Sequence, residues 1–295
     1  MAKGIWGRKT PEDIVFAAAT NIFVLFVVFV TLYPFIFIAS ASISNASAVT
    51  RMEVWLLPKG INFGAYRRVF RETQLWISYR NTIWYVAVGT TVNLIMTTLL
   101  AYPLSRRRFQ GRRFLMIAIT FTMFFSGGMI PSFILVRSLG LINTRWALVI
   151  PSAISTYNLI VTRTFFENIP ESLHEMATID GAGEFRIFVR IFLPLSLPIL
   201  GTLVLFYAVG HWNTYFNAML YLSRDALYPL QIFLRKILLQ YEANDLVLDI
   251  QLDRNDISQT IRYATIMIST LPIICVYPFL QKYFVKGVMI GAIKG

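Results

Sequence analysis

The chain reads as an all-α protein, a polytopic transmembrane helical bundle of about six spans. Three observations predict this. Hydrophobic residues fill 56% of the 295 positions and charged residues only 14%, where a soluble domain carries roughly 25% charged. Apolar runs of about 20 residues recur, the length that crosses about 30 Å of hydrocarbon. Inside lipid every backbone polar group must be satisfied within the segment, so those runs default to helices.

A basic tail, 1–13, precedes the first span at 14–42. That apolar run is too long for the core of a signal peptide and reads as a retained span. Further spans are expected at 82–104, 114–136, 146–166, 187–219 and 261–284, followed by a short tail, 287–295. The membrane domain as a whole covers 14–286. Prolines 34, 103, 131, 151, 194, 198, 272 and 278 fall in or beside these spans. A bundle tolerates them where neighbouring helices re-satisfy the freed carbonyls.

Orientation rests on one connection. A raw tally of basic residues does not separate the two sides, but RRRFQGRR, 106–113, is very short and intensely basic. Short loops at span ends carry most of the positive-inside signal. It places the loop at 167–186 and both termini on the cytoplasmic side. Two longer segments, 43–81 and 222–260, then face outward. In the first, INFGAYRRVF reads as an extended piece leading into a short helix. In the second, the first half has helical spacing and the second half is acidic.

Several function classes are excluded or left without support. The net charge of +12 has anionic lipid headgroups as its plain partner, and no nucleic-acid-binding motif accompanies it. Cys275 is the only cysteine, so no disulfide forms within the chain and no zinc site is expected. His174 and His211 are the only histidines, too few for a metal site or histidine-based catalysis. No G-x-x-x-x-G-K-[ST] phosphate loop occurs. The spans are nearly free of Asp, Glu, Lys and Arg, which argues against an ion-coupled secondary transporter, the alternative transport reading. No nucleophile and base pair up inside them, so no enzyme is expected.

The segment 171–198, ESLHEMATIDGAGEFRIFVRIFLPLSLP, is the most informative. Pro170 with Glu171 marks a helix start, an acid lying near the positive end of the dipole. Leu173, Met176, Ala177 and Ile179 give that helix one apolar stripe. Gly181 and Gly183 permit a turn that a Cβ would resist. Phe185, Phe188 and Val189 begin a second helix, and Pro194 and Pro198 follow. Two short helices joined through glycine form a knob stiff enough to transmit a push.

Glu175-Met176-Ala177-Thr178-Ile179-Asp180-Gly181-Ala182, then Phe185, Phe188 and LPLSLP at 193–198, resembles the E-A-A loop of bacterial ABC importer permeases. Met176 departs from the usual alanine and keeps the helix. HWNTYFNAMLYL at 211–222 and the tail QKYFVKGVMIGAIKG resemble maltose-type carbohydrate permeases. SGGMIPSFILVRSLGL at 126–141 is similar to permeases for complex, pectin- or alginate-type oligosaccharides. The resemblance implies a non-catalytic inner-membrane subunit with a cytoplasmic coupling-helix loop. It implies as partners a second homologous permease, two ATPase subunits that bind ATP and Mg, and an extracytoplasmic solute-binding protein delivering sugar. No cofactor belongs to this chain. Carried onto this sequence, the ATPase-coupling residues are Glu171, Leu173, Glu175, Met176, Ala177, Asp180, Gly181 and Ala182. Glu175 is expected to dock, Asp180 to cap or orient the turn and Gly181 to supply its geometry. The tail from Lys286 to Gly295 is expected to reach the ATPase interface.

Sugars are held by aromatic stacking and planar hydrogen-bonding groups. His211, Trp212, Asn213, Tyr215 and Asn217 supply both near the outer end of span five, and Asn93 and Asn158 add polar groups within spans. Each has a structural reading as well: interfacial anchoring for the aromatic residues and interhelical hydrogen bonding for the asparagines.

Overall fold

The structure is a computed structural model that describes residues 10–247, 259–276 and 278, with side chains described for 10–240, 259–276 and 278. Every regular element among the described residues is helical. The chain divides into two compact units: 1–71 with 237–268, and 72–236 with 269–295.

The first unit holds α1 (Pro11–Ser42), α2 (Ala46–Thr50) and α3 (Gly64–Arg71). Thr10 and Asp13 cap α1 reciprocally, each side chain bonding the other's backbone N–H. The 18-residue apolar window of α1 buries none of itself against the chain, with a mean hydropathy of 2.8. The helix is hydrophobic all round, so lipid or another subunit is its solvent. The connection after α1 is pinned down rather than loose. Ser40 Oγ donates to Leu56 O at 2.6 Å, Lys59 N–H to Ser44 Oγ at 3.1 Å and Asn62 N–H to Ile43 O at 2.8 Å. Extended chain leading into the short helix α3 agrees with the sequence expectation.

The second unit is built around α4 (Thr73–Ser105), 33 residues and thus about 50 Å long. It overshoots a hydrocarbon core of about 30 Å. It also begins nine residues before the expected span at 82, taking the end of the 43–81 segment into the helix. Around it stand α5 (Arg112–Phe124), α6 (Met129–Ser138), α7 (Trp146–Val149), α8 (Thr156–Glu167) and α9 (Glu171–Ile179). Then come α10 (Glu184–Ile187), a π-helical turn at Phe188–Phe192, α11 (Leu193–Leu195), α12 (Leu197–Trp212) and α13 (Phe216–Tyr221). A 3-10 turn at Asp225–Leu227 leads to α14 (Leu230–Val247), which belongs to the first unit from 237 on, as does α15 (Gln259–Val276) up to 268. Tyr85, Phe166, Phe192, Leu75 and Leu104 are among the second unit's largest fully buried side chains.

Three described helices are long and apolar enough to cross a membrane, and five spans result if each of two bent pairs counts as one. The straight third span expected at 114–136 is corrected: α5 and α6 meet at 117°. Gly128, at φ +82, takes the left-handed backbone the corner needs. The expected fourth span, 146–166, is interrupted between α7 and α8 at 150–155, where Pro151 removes a helical donor. The fifth starts with an 81° elbow between Glu184–Leu195 and Leu197–Trp212. Pro194 and Pro198 flank that elbow, and the π turn widens the helix just where Pro194 withdraws its N–H. The sixth matches α15 as far as 276. Its remaining stretch and the 287–295 tail lie outside the described residues, as do 1–9 and 248–258.

Candidate functional site

The knob forms as two helices on one root. Helix α9 closes with paired reverse bonds: Ala182 N–H to Ala177 O at 2.9 Å and Gly181 N–H to Thr178 O at 3.0 Å. Gly181 sits between them at φ +76. This is the left-handed helix stop that glycine favours. The expected role of Gly181 in the geometry is therefore present. Asp180 is the C-cap by its backbone, whose N–H reaches Met176 O at 3.0 Å. Among the described residues its carboxylate makes no hydrogen bond, so the turn is closed by backbone groups rather than by the Asp180 side chain.

The root is a packed cluster in which Ala177, Ile187, Phe188 and Phe192 meet Tyr102 and Leu104 of α4 and Phe166 of α8. Tyr102 lies 5.1 Å from Phe188 and 4.9 Å from Phe192 between ring centroids. Arg106 covers the Phe192 ring at 4.5 Å, a cation over a π face. Ala182 and Leu173 pack at the margin of this cluster.

The single apolar stripe expected on α9 is corrected. Ala177 is buried and Leu173 half-buried, but Met176 is 60% exposed and Ile179 85% exposed. The helical spacing of 3.6 residues sends 173 and 177 to the root and carries 176 and 179 away from it. Phe185, 73% exposed, joins them on the outer surface. An apolar tip on a well-anchored base is what a partner surface looks like. Glu175 stands outward as well, its side chain 55% exposed and 4.0 Å from Arg108, a pair worth little in itself.

Three residues that sequence reasoning left unassigned tie the knob to α4. Tyr102 donates to Glu184 Oε2 at 2.6 Å. His174 Nε2 lies 3.1 Å and 3.2 Å from the two Glu184 oxygens. A carboxylate only accepts, so His174 presents Nε2–H. Glu184 thus joins α9, α10 and α4 through one side chain. With Glu171, Arg106 and Phe185 these groups line a cavity of about 520 Å³. The Tyr102 hydrogen bond holds the Glu184 carboxyl below its ordinary range, against the opposing push of burial, with His174 and Arg106 helping. A lowered carboxyl stabilises the fold above its unfolded value and loses that contribution as pH falls through the folded one. Glu184→Gln is expected to flatten the loss of thermal stability below about pH 4. Melting curves of purified protein across that range check it, and an unaltered acid limb would remove Glu184 from this role.

The second group of candidates divides. Asn93, Asn158, His211 and Asn217 line one cavity of about 310 Å³ with Ser152 and Tyr207. Asn93 is its hub. Its Oδ1 accepts from His211 Nε2 at 2.6 Å, and its Nδ2 donates to Ser152 O in the interruption between α7 and α8. Tyr207 and Thr97 share a hydroxyl bond of 2.7 Å. Trp212, Asn213 and Tyr215 are not in that lining. Trp212 is buried and donates to Ser269 O at 3.1 Å. Asn213 bonds back to Val209 O at 3.0 Å. Tyr215 carries the Arg235 guanidinium 4.6 Å above its ring. Helical rotation explains the split: 211 and its neighbour 212 face about 100° apart.

The chain as a whole is similar to known proteins. Residues 93–290 match the family described as "Binding-protein-dependent transport system inner membrane component". The polygalacturonan/rhamnogalacturonan transport system permease protein YtcP of Bacillus subtilis (strain 168) is 41% identical, over 92% of this chain and 96% of its own. A crystal structure of a bacterial ABC transporter involved in the import of the acidic polysaccharide alginate contains a chain 37% identical, with TM-score 0.84 over 96% of this chain and 100% of that one. A chain in a bacterial alginate ABC transporter, solved in complex with alginate pentasaccharide-bound periplasmic protein, shares the fold at 16% identity, with TM-score 0.58 over 94% of this chain and 96% of that one.

Proposed function

The chain belongs to the family of binding-protein-dependent transport system inner membrane components, and from that premise we propose how it works as the permease subunit of an ABC importer for an oligosaccharide. It is a non-catalytic membrane subunit, like the permeases it matches. Nothing among its relatives supports the ion-coupled alternative. The knob at 167–186 docks on a cytoplasmic ATPase subunit, and that partner, not this chain, binds ATP and Mg. Two such subunits and a second homologous permease complete the machine, with a solute-binding protein on the outer side. RRRFQGRR keeps the knob and both termini cytoplasmic.

The observation that carries this reading is the knob itself. Its base is locked by Gly181 and by Glu184, while Met176, Ile179 and Phe185 stand exposed. When ATP draws the ATPase subunits together, a stiff knob moves with them and tilts the helices at its root. The result is a rigid-body switch of the translocation path.

The sugar path runs by the Asn93 cavity. Its lining offers amide, hydroxyl and imidazole groups and no carboxylate, which suits a hydroxyl-rich ligand and does not repel an acidic one. At 310 Å³ it lies near the lower end of ligand pockets, about 300–1,000 Å³. It therefore holds part of a saccharide chain, and the partner permease holds the rest. The substrate is an acidic oligosaccharide, a choice supported by the substrate printed for the alginate importer.

Copurification in mild detergent tests the assembly. An ATPase subunit should be recovered with this chain and lost on Glu175→Ala combined with Gly181→Pro. Proline cannot adopt φ +76 and lacks the N–H that Gly181 gives to Thr178. Recovery of this chain alone, moving solute into liposomes without ATP, would sink the reading. ATPase stimulation by binding protein loaded with acidic rather than neutral oligosaccharides then tests the substrate.

A further inference from the structure

At the basic connection between α4 and α5 the surface opens into a cleft of about 970 Å³ that the coupling mechanism does not use. One end is lined by Arg107, Arg112, Arg113 and Arg163, the other by Met116, Ile117, Phe121 and Phe124. We propose that this cleft binds an anionic phospholipid of the cytoplasmic leaflet, its headgroup on the arginines and its acyl chains along α5.

The charges are arranged for it. Among the described residues Glu167 is the one carboxylate in contact with the arginine group, bonding Arg112 and, at 2.6 Å, Arg163. Arg107 and Arg113 are exposed and make no ion pair among the described residues. Four cations against one anion leave a net +3 at the mouth, and Glu167 orients two of the guanidinium groups without neutralising the site. Anionic headgroups are drawn to such clusters beside a transmembrane helix. Arginine also suits a phosphate, because its planar fork donates two parallel bonds.

The geometry separates a lipid from a free phosphate. From Arg113 to Phe124 is eleven residues of helix, about 16 Å. That is close to half of the roughly 30 Å hydrocarbon core, one leaflet deep. Ile117, Phe121 and Phe124 are 62%, 55% and 76% exposed along it. Apolar side chains at 117, 121 and 124 follow the i, i+4, i+7 row of one helix face. A free phosphate would leave that face uncovered. The docking surface of an ATPase would not extend along a helix into the membrane. A molecule with a charged head and two apolar tails matches both ends at once.

The test uses the whole importer, purified in mild detergent with its partner subunits and offered phosphatidylglycerol or phosphatidylcholine. Lipid retained per complex is read by native mass spectrometry, and retention of the ATPase subunit is read in the same spectra. Phosphatidylglycerol is expected to be retained in preference, with Arg107→Gln/Arg113→Gln weakening it about 30-fold at low salt. Phosphatidylcholine and the ATPase subunit should be unaffected. Both substitutions are on exposed side chains, so the melting temperature should stay put and serves as the folding control. Equal retention of the two lipids, or no effect of the double variant, would overturn the proposal. So would displacement of the lipid by millimolar inorganic phosphate, which would reduce the cleft to a phosphate site. If the ATPase subunit is lost instead while lipid retention is unchanged, the cleft belongs to that interface. The coupling knob's own assignment is decided separately by the Glu175 and Gly181 variants.

Discussion

Ile179→Asp should release the ATPase subunit while leaving the permease folded. Ile179 is 85% exposed at the tip of α9, so in the free permease an aspartate there meets water and costs little. In the docked state the same carboxylate would have to be stripped of water inside an apolar contact. An anchoring side chain at the centre of an interface is worth about 2 kcal/mol or more, which corresponds to about 30-fold in affinity. Ile179→Leu should keep binding close to wild type, because volume and polarity are preserved. Titration of purified ATPase subunit onto the permease in nanodiscs measures both variants against melting temperature. If Ile179→Asp binds as tightly as wild type, the docking surface lies elsewhere on the loop, and Glu175 would have to act without the apolar tip.

The contrast with Ala177 explains why that surface was half legible in the sequence. The apolar spacing through 173, 176, 177 and 179 correctly predicts a short amphipathic helix, and Gly181 its stop. Which of those side chains faces the root depends on how α9 sits against Phe188, across the turn, and against Tyr102, some 70 positions earlier in the chain. Tertiary packing of this kind has no local signature. The same reason hides the Tyr102–Glu184–His174 tie. His174 and Glu184 lie ten residues apart across a turn, and Tyr102 comes from another span. A sequence reader sees one histidine in an amphipathic helix. By contrast, span existence was legible at α1 and α4, where long apolar runs leave one interpretation. It blurred where Gly127 and Gly128, Pro151, or Pro194 with Pro198 sat inside an apolar run. Each of these residues licenses a bend without stating its angle. The structure sets those angles at 117° and 81°.

The polar candidates show how chain position and space diverge. The run 211–217 looked like one ligand surface. The helix distributes it, so His211 and Asn217 turn to the cavity while Trp212 braces against the backbone at Ser269. Trp212 therefore acts on the site through packing, and the hydrogen bonds that organise the cavity come from Asn93, on a helix more than a hundred residues earlier.

The sharpest structural consequence falls on Gly89, which no motif marks. Gly89 is buried on α4, and a Cβ there would lie under 3.0 Å from the ring of His211 on α12. His211, itself only 6% exposed, cannot swing aside freely, because Asn93 holds its Nε2 from the same helix four residues on. Gly89→Ala must therefore either part α4 from α12 or break the Asn93 bond. Overpacking costs about 1–3 kcal/mol. Leaving the buried Asn93 oxygen unpaired instead costs about 1–3 kcal/mol. By either route a loss of about 2 kcal/mol corresponds to a melting temperature lower by roughly 4–8 °C. Oligosaccharide uptake should fall with it, because His211 and Asn93 both line the cavity. The control is Gly89→Ala/His211→Ala. Removing the imidazole makes room for the new methyl group, so the double variant should be more stable than Gly89→Ala alone, and the two changes should be non-additive by more than about 1 kcal/mol. Additive effects, or a Gly89→Ala variant with unchanged melting and uptake, would mean that the two helices do not approach this closely in the working transporter. Rescue of stability without rescue of uptake would place His211 at the sugar rather than only in the wall.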